Sequence, residues 1–314
     1  MHYRHHRFRA LGEEVRKSPR FTMSWRTVII SKQSKLDYRM GYVVVRGDET
    51  KKVHIGEIST LVIENPTVSI TGCLIEALIE KKVKVIFCDS KRNPTAELIP
   101  HHGSHDSSSK IRTQFSWDDD IKAVIWQEII SEKIRKQADF LASIEKTKEA
   151  DMLRGYIGQV ELADATNREG HAAKVYFNAV FGMEFTRSAE TPINAALNYG
   201  YSMILSMFNR EVCANGYLTQ LGIFHDNMFN HFNFSCDLME PFRILVDQHV
   251  YVNKPETFSS EEKHYMWRLL EDYVLINETR QTLSNAIKIY TKSVLEAIND
   301  KDPFAIKFYT LIDE

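Results

Sequence analysis

The sequence predicts an α+β protein: a small β-rich N-terminal domain followed by a larger all-α C-terminal domain. Three observations support this class. From Trp25 to about Pro100 the chain runs in short stretches rich in Val, Ile, Tyr or Thr, broken by turn signals. Beyond Asp118 the apolar residues recur every three or four positions, the spacing of an amphipathic helix. Between them lies His101–Lys110, HHGSHDSSSK, a polar stretch rich in Ser, His and Gly that suits an exposed connection. The predicted division is a β-rich domain at 23–100, a linker at 101–117 and a helical domain at 118–314.

In chain order, Arg26–Ile30, Leu36–Arg39, Tyr42–Arg46 and Lys52–Ile55 are expected strands, with Met40-Gly41 and Arg46-Gly47-Asp48 turning the chain between them. Leu61-Val62-Ile63 adds another strand. Thr71 stands where a helix N-cap belongs, and Leu74, Leu78 and Ile79 recur at helical spacing through Lys82. Val83–Cys88, apolar apart from Lys84, suits a largely buried strand. In the second half Ile130, Ile134, Ala138 and Leu141 step by four, four and three, and Leu283, Ile287, Tyr290, Val294 and Ile298 mix the same steps. Further helices are expected at Glu169–Phe181, Ile193–Asn215 and Glu261–Ile276, with breaks at Gly182, Pro192, Gly216 and Pro255. No repeat of roughly 20–50 residues is present, which excludes a solenoid.

Composition narrows the function classes. The 314 residues include 43% hydrophobic residues, 13 Gly and 8 Pro, which excludes collagen-like, low-complexity and wholly disordered chains. Forty basic against 42 acidic residues leave a net charge of −2, unlike the strongly basic balance common in nucleic-acid-binding domains. Taken by itself, that balance argues against a nucleic-acid-binding protein. No run of about 18 apolar residues offers a membrane span. Cys73, Cys88, Cys213 and Cys236 form no CxxC pair, which speaks against zinc-ribbon and thioredoxin readings and favours reduced thiols in a cytoplasmic protein. His101, His102 and His105 lack a thiol or carboxylate frame and read as a solvated loop. Residues 1–22, with six Lys/Arg, three His and no apolar periodicity, read as an expression leader or tag ahead of a second Met at Met23.

P-loop, GxGxxG, GxSxG, HExxH and EF-hand patterns are missing from the sequence. What remains is a set of metal-capable side chains inside apolar helical segments: Glu169 in REGHAAKVYF, His225 in YLTQLGIFH, and Asp237 and Glu240 in DLMEPFR. On a helical turn, residues three apart share a face at about 5–6 Å between Cβ atoms, and Pro241 makes the aim of Glu240 irregular. Carboxylates with one imidazole suit Mg²⁺ or Mn²⁺ better than structural zinc. The competing reading is structural: a Glu that complements a helix dipole and a core His with satisfied hydrogen bonds.

Four segments in order, REGHAAKVYF, Asn194-Ala195-Ala196-Leu197-Asn198-Tyr199-Gly200-Tyr201, Gly222-Ile223-Phe224-His225 and DLMEPFR, closely resemble the CRISPR-associated integrase family Cas1. Ser24-Trp25-Arg26-Thr27-Val28 looks like the type II-A version, and the likeness runs from Met23 to the C-terminus. The resemblance implies a divalent metal, Mg²⁺ or Mn²⁺, held by Glu169, His225 and Glu240, with Asp237 the competing or supporting carboxylate. It implies transesterification: the 3′-hydroxyl of a captured DNA fragment attacks a phosphodiester at a CRISPR repeat boundary. Lys174, Arg187 and Arg243, in or beside the motifs, become candidates for contacts to double-stranded DNA. The implied partners are a second copy through the N-terminal domain, a small non-catalytic companion subunit, the RNA-guided effector nuclease and a ring-shaped accessory protein, with no membrane. The link Asp226–Cys236 is longer and richer in Asn and Phe than in many members, which leaves roles for Asn230 and His231 open. A stand-alone endonuclease acting on branched DNA and a non-catalytic DNA-binding scaffold are the alternatives.

Overall fold

The computed structural model describes residues 26–101 and 103–312. The leader assigned to 1–22, Ser24 and Trp25 of the opening motif, and His102 lie outside the described residues. The N-terminal half contains β1 (Arg26–Ile30), β2 (Lys35–Arg39), β3 (Tyr42–Arg46), β4 (Thr50–His54), β5 (Ile58–Ile63), β6 (Ser69–Ile70), α1 (Gly72–Glu80), β7 (Lys84–Cys88) and β8 (Pro94–Glu97). These strands make two four-stranded sheets, ordered β4-β3-β2-β6 and β1-β5-β7-β8. In the second sheet β1, β5 and β7 run parallel, and β8 closes the edge antiparallel.

Strand β5 explains how the halves join. All six of its residues are buried, as expected of a parallel strand covered on both faces. Side chains alternate across a strand. Leu61 and Ile63 therefore enter the N-terminal core with Leu74 and Leu78, while Val62 points the other way, into the large helical core. Ile86 on β7 does the same. The second sheet is thus a wall shared by both cores.

The expected linker at 101–117 is corrected: it contains helix α2 (Ser107–Phe115). Gln114 ties that helix down. Its amide donates to the carbonyls of Leu218 (2.9 Å) and Leu221 (3.0 Å) and accepts from Leu218 N–H at 2.8 Å. The Ser-rich composition hid a helix whose anchor is a buried polar residue.

The helical half follows as α3 (Asp119–Ser143), α4 (Thr147–Ile157), α5 (Arg168–Phe181), α6 (Pro192–Ala214), α7 (Asn233–Met239), α8 (Arg243–Asn253), α9 (Ser260–Arg268) and α10 (Leu283–Asp300). Their starts carry local chemistry: Asp118 caps α3, Thr191 followed by Pro192 starts α6, and Ser259 with Glu262 forms a capping box on α9. The apolar stripe of α3, Ile130, Ile134, Ala138 and Leu141, is fully buried.

The expectation of an all-α second half also needs correction. Strands β9 (Tyr273–Ile276), β10 (Thr279–Thr282) and β11 (Tyr309–Thr310) form an antiparallel sheet, ordered β10-β9-β11. The helix expected over Glu261–Ile276 ends at Arg268 because Val274 and Ile276 are buried while Tyr273 and Leu275 are exposed, a period of two. Asn277 and Glu278, at φ 50° and 59°, then make the two-residue turn that suits a hairpin's twist.

Helices α6 and α8 meet closely at Gly200, where an added Cβ would lie 2.4 Å from Val246 Cγ1 and 3.2 Å from Met266 Sδ. Gly200→Leu is therefore expected to destabilise the chain by about 1–3 kcal/mol or more through overpacking. Urea unfolding checks this, and an unchanged midpoint would refute the close approach.

Candidate active site

Glu169 sits in the first turn of α5, whose start is held by two side chains. The Asp164 carboxylate accepts the N–H groups of Arg168 (2.7 Å) and Glu169 (3.0 Å). Asn167, at φ 52°, accepts Gly170 N–H at 3.2 Å. A Cβ on Gly170 would come within 2.7 Å of Asn167 Oδ1, so the small residue after the glutamate belongs to the cap. These bonds fix the direction in which Glu169 leaves the helix.

Glu240 arrives from another segment. Helix α7 ends at Met239, and Pro241, which has no N–H to continue it, sits in a 3-10 turn, Glu240–Phe242, before α8. The buried Glu240 carboxylate accepts Arg243 Nε at 2.9 Å on one oxygen and Lys133 Nζ at 2.5 Å on the other. Lys133 reaches across from α3 and also donates to Glu169 Oε1 at 2.5 Å. The glutamates predicted from sequence therefore meet, around a lysine that the sequence reading did not single out. Burial works against charge on Glu240, but Arg243 and Lys133 outweigh it and hold its carboxyl down at about 2. Burial likewise works against a charged Lys133, and Glu240 and Glu169 reverse that effect and raise it.

Asp237, three residues earlier, turns to different work. Completely buried, it accepts the N–H groups of Ile223 (2.7 Å), Phe224 (3.1 Å) and His225 (3.1 Å), and its Oδ1 lies 2.5 Å from His225 Nδ1. A side chain on Gly222 would strike Asp237 Oδ2 at 2.7 Å and the His225 carbonyl at 2.3 Å, so this loop requires glycine. The His225 ring also stands edge-on to Trp126 at 5.6 Å, and Phe224 stacks on the same indole at 4.3 Å. With Nδ1 engaged, Nε2 is the nitrogen left for another partner. The bond to Asp237 raises the His225 pKa against the pull of burial, helped by the charges of Asp237, Glu240 and Glu169. Burial pushes Asp237 up as well; its bond to His225 and those from the Phe224 and His225 amides oppose burial, and this acceptor-only role is that of an ionised carboxylate.

Beside Glu240 opens a cleft lined by Arg187, Asn198, Tyr201, Ser202 and Arg243. Arg187 is held by Asn194 Oδ1 (2.7 Å) and Asn198 Oδ1 (2.6 Å), which gives two residues of the NAALNYGY segment a role. Both guanidiniums lie near the Tyr201 ring, at 5.3 Å for Arg187 and 4.8 Å for Arg243. The Tyr201 hydroxyl donates to buried Asp247. Lys174 is exposed on α5. Asn230 and His231 shape the loop: Asn230 Oδ1 accepts Phe232 N–H (2.9 Å), and the His231 carbonyl accepts the Thr219 hydroxyl (2.8 Å).

Among the described residues no three His, Cys, Asp or Glu side chains are gathered to hold a metal ion. Between the glutamates stands Lys133 instead. The donor chemistry nevertheless fits a hard divalent ion, because two carboxylates from separate elements already share one cation. Asp237 does not fit as a direct ligand, since it would have to surrender its four hydrogen bonds. Sequence reasoning missed Lys133, Asp164 and Trp126. A signal existed for Lys133: it lies three residues after Ile130 and one before Ile134, a charge set into a fully buried stripe.

Fold and site together define a class: a two-part α+β protein with a carboxylate–histidine site in its helical half. The chain belongs to the Cas1 family, since the model for CRISPR associated protein Cas1 matches residues 27–288. A CRISPR-associated endonuclease Cas1 from Neisseria meningitidis serogroup C is 30% identical over 292 residues, covering 91% of this chain and 96% of that protein. In fold, the chain is similar to one in a Cas6-RT-Cas1--Cas2 complex, with TM-score 0.70 and 15% identity, covering 95% of this chain and 37% of that longer one. It is also similar to a casposase bound to integration product, with TM-score 0.68 and 17% identity, covering 89% and 91%. Among the described residues no helix is long and apolar enough to cross a membrane.

The Asp237–His225 bond makes a pH prediction. A raised folded-state pKa means the bond's contribution to stability is full below the unfolded imidazole value of about 6.5 and is lost as pH rises through the folded value. NMR titration should find His225 above 6.5 in the native chain and lowered in Asp237→Asn. An unchanged His225 titration in that variant would contradict the assigned contact.

Proposed function

We propose that this chain is a metal-dependent DNA integrase of CRISPR adaptation, joining the 3′-hydroxyl ends of captured DNA to a CRISPR repeat by transesterification. The observation that carries the reading is the convergence of Glu169 and Glu240 on one cation, beside a histidine fixed by Asp237. Glu169, Glu240 and His225, through its free Nε2, are the residues that would hold Mg²⁺ or Mn²⁺. Such an ion supplies charge stabilisation at a phosphoryl oxygen and favours deprotonation of the attacking hydroxyl.

The chain's own residues do the rest. Asp237 selects the His225 tautomer and aims the ring, an orienting role typical of metal-site carboxylates. Arg187 and Arg243 present planar, always-charged donors along the cleft and bind the phosphodiester backbone. Lys174, exposed on α5, is a further candidate for a phosphate contact. The Trp126–Phe224 stack keeps the histidine loop closed over its aspartate. DNA, a second copy of the chain and a small companion subunit are the proposed partners; a similar fold solved on an integration product supports the first and another solved in a complex with Cas2 supports the third. The effector nuclease and ring-shaped accessory protein belong to the same proposal. Cleavage of branched DNA without joining is the second reading, favoured by the endonuclease name of the meningococcal relative.

A labelled DNA fragment and a supercoiled plasmid carrying a repeat separate the readings. Joined product in Mg²⁺ or Mn²⁺ supports integration, and cleavage without joining supports the endonuclease. Glu169→Ala and His225→Ala should each reduce joining more than the roughly 10–100-fold typical of a residue that only orients a ligand, the range expected for Asp237→Asn. Joining that survived Glu169→Ala would overturn the site. Separately, Arg187→Ala should weaken DNA binding across sequences and lower the slope of log affinity against log salt by about one. Unaltered salt dependence would remove Arg187 from the DNA track.

A further inference from the structure

We propose that Lys133 is a built-in counter-cation that fills the metal position between Glu169 and Glu240, and that a divalent ion binds by displacing its ammonium. The inference rests on the reading of those two glutamates as holders of the ion and adds the residue that competes with it.

Position carries the argument. Lys133 Nζ lies 2.5 Å from an oxygen of each glutamate, the place from which one cation serves both. Oxygen ligands of Mg²⁺ stand at about 2.0–2.1 Å, so each carboxylate need close by only about 0.4–0.5 Å once the ammonium leaves. The other oxygen of Glu240 is held by Arg243 at 2.9 Å, and that contact is independent of which cation occupies the gap. Helix α3 does not need to move: Ile130 and Ile134 anchor it in the core, and Lys133 reaches the site on a flexible four-carbon stem. Glu169 is a quarter exposed, which gives the ammonium a route toward water on its side of the site.

Charge carries it further. Without Lys133, two carboxylates would face each other with Arg243 the ion-pair partner left to them among the described residues, in a place where unpaired charge is costly. With a divalent ion bound, an ammonium left in the same gap would be a like charge in direct contact. The two cations therefore exclude one another. Lysine stabilises the metal-free chain and, by the same contact, weakens its metal affinity.

The test measures Mn²⁺ binding by the EPR signal of unbound Mn²⁺, using the full chain without DNA. Lys133→Met and Lys133→Gln are expected to bind Mn²⁺ at least tenfold more tightly than the native chain, and Lys133→Arg no more tightly. The metal-free Met and Gln variants should melt below the native chain, with the gap narrowing or reversing in saturating Mn²⁺. A lysine that only neutralises the acids would lower the melting point and leave Mn²⁺ affinity unchanged or weaker, which overturns the proposal. A second measurement needs no variant: acetic anhydride labelling of Lys133, read by mass spectrometry of the native chain, should rise when Mn²⁺ is added. Labelling that does not respond while Mn²⁺ binds refutes displacement alone. Absence of Mn²⁺ binding by the native chain and every variant refutes the metal-site reading with it.

Discussion

Charge buried among apolar helices is the constraint on which the site depends. Glu240 is almost wholly removed from water, and a carboxylate there survives only if cations reach it with good geometry. Arg243 comes from the start of α8 and Lys133 from the middle of α3, and Lys133 in turn fixes Glu169 at the start of α5. Three segments distant in sequence are thereby locked to one another by charge. Helix α3 also carries Trp126, against which the His225 loop rests, so one helix sets the height of both halves of the site. A site built on such a helix is held more rigidly than one built on loops alone.

The two acids of DLMEPFR show how backbone decides chemistry. Asp237 lies within α7 and turns toward the glycine-containing turn before His225, where three amides and an imidazole saturate it. Glu240 begins the 3-10 turn that Pro241 occupies, and its carboxylate turns toward Lys133 and Arg243. One acid aims a ring while the other meets cations. Deeper still, Asp247 accepts the Tyr201 hydroxyl, and burial raises its pKa to about 6. Tyr201 links that buried carboxylate to the two arginines of the cleft.

The N-terminal half is mechanically joined to this core. Val62 and Ile86 pass from the shared sheet into the helical core, and Glu64, just past β5, lies 2.8 Å from His264 Nε2 on α9. Arg92 adds a 3.3 Å contact to the same carboxylate.

The sequence by itself determined the two-part α+β division, most strand and helix positions, and the segments that carry Glu169, His225, Asp237 and Glu240. It could do so because helical and strand periodicity, caps and turns are local, and because the motifs are contiguous. Its errors were at places where locality misleads. Helix α2 hid in a Ser-rich stretch because its anchor is Gln114 bonding a loop about a hundred residues away. The β9–β10 hairpin hid because a period of two over four residues is short, and left-handed Asn277 and Glu278 are not glycines. Only the tertiary structure decided that Asp237 orients His225, that Asn194 and Asn198 hold Arg187, and that Lys133 stands between the glutamates. Each depends on side chains brought together from distant segments, and the energy of a charged contact depends on burial and partners that no spacing in the sequence records.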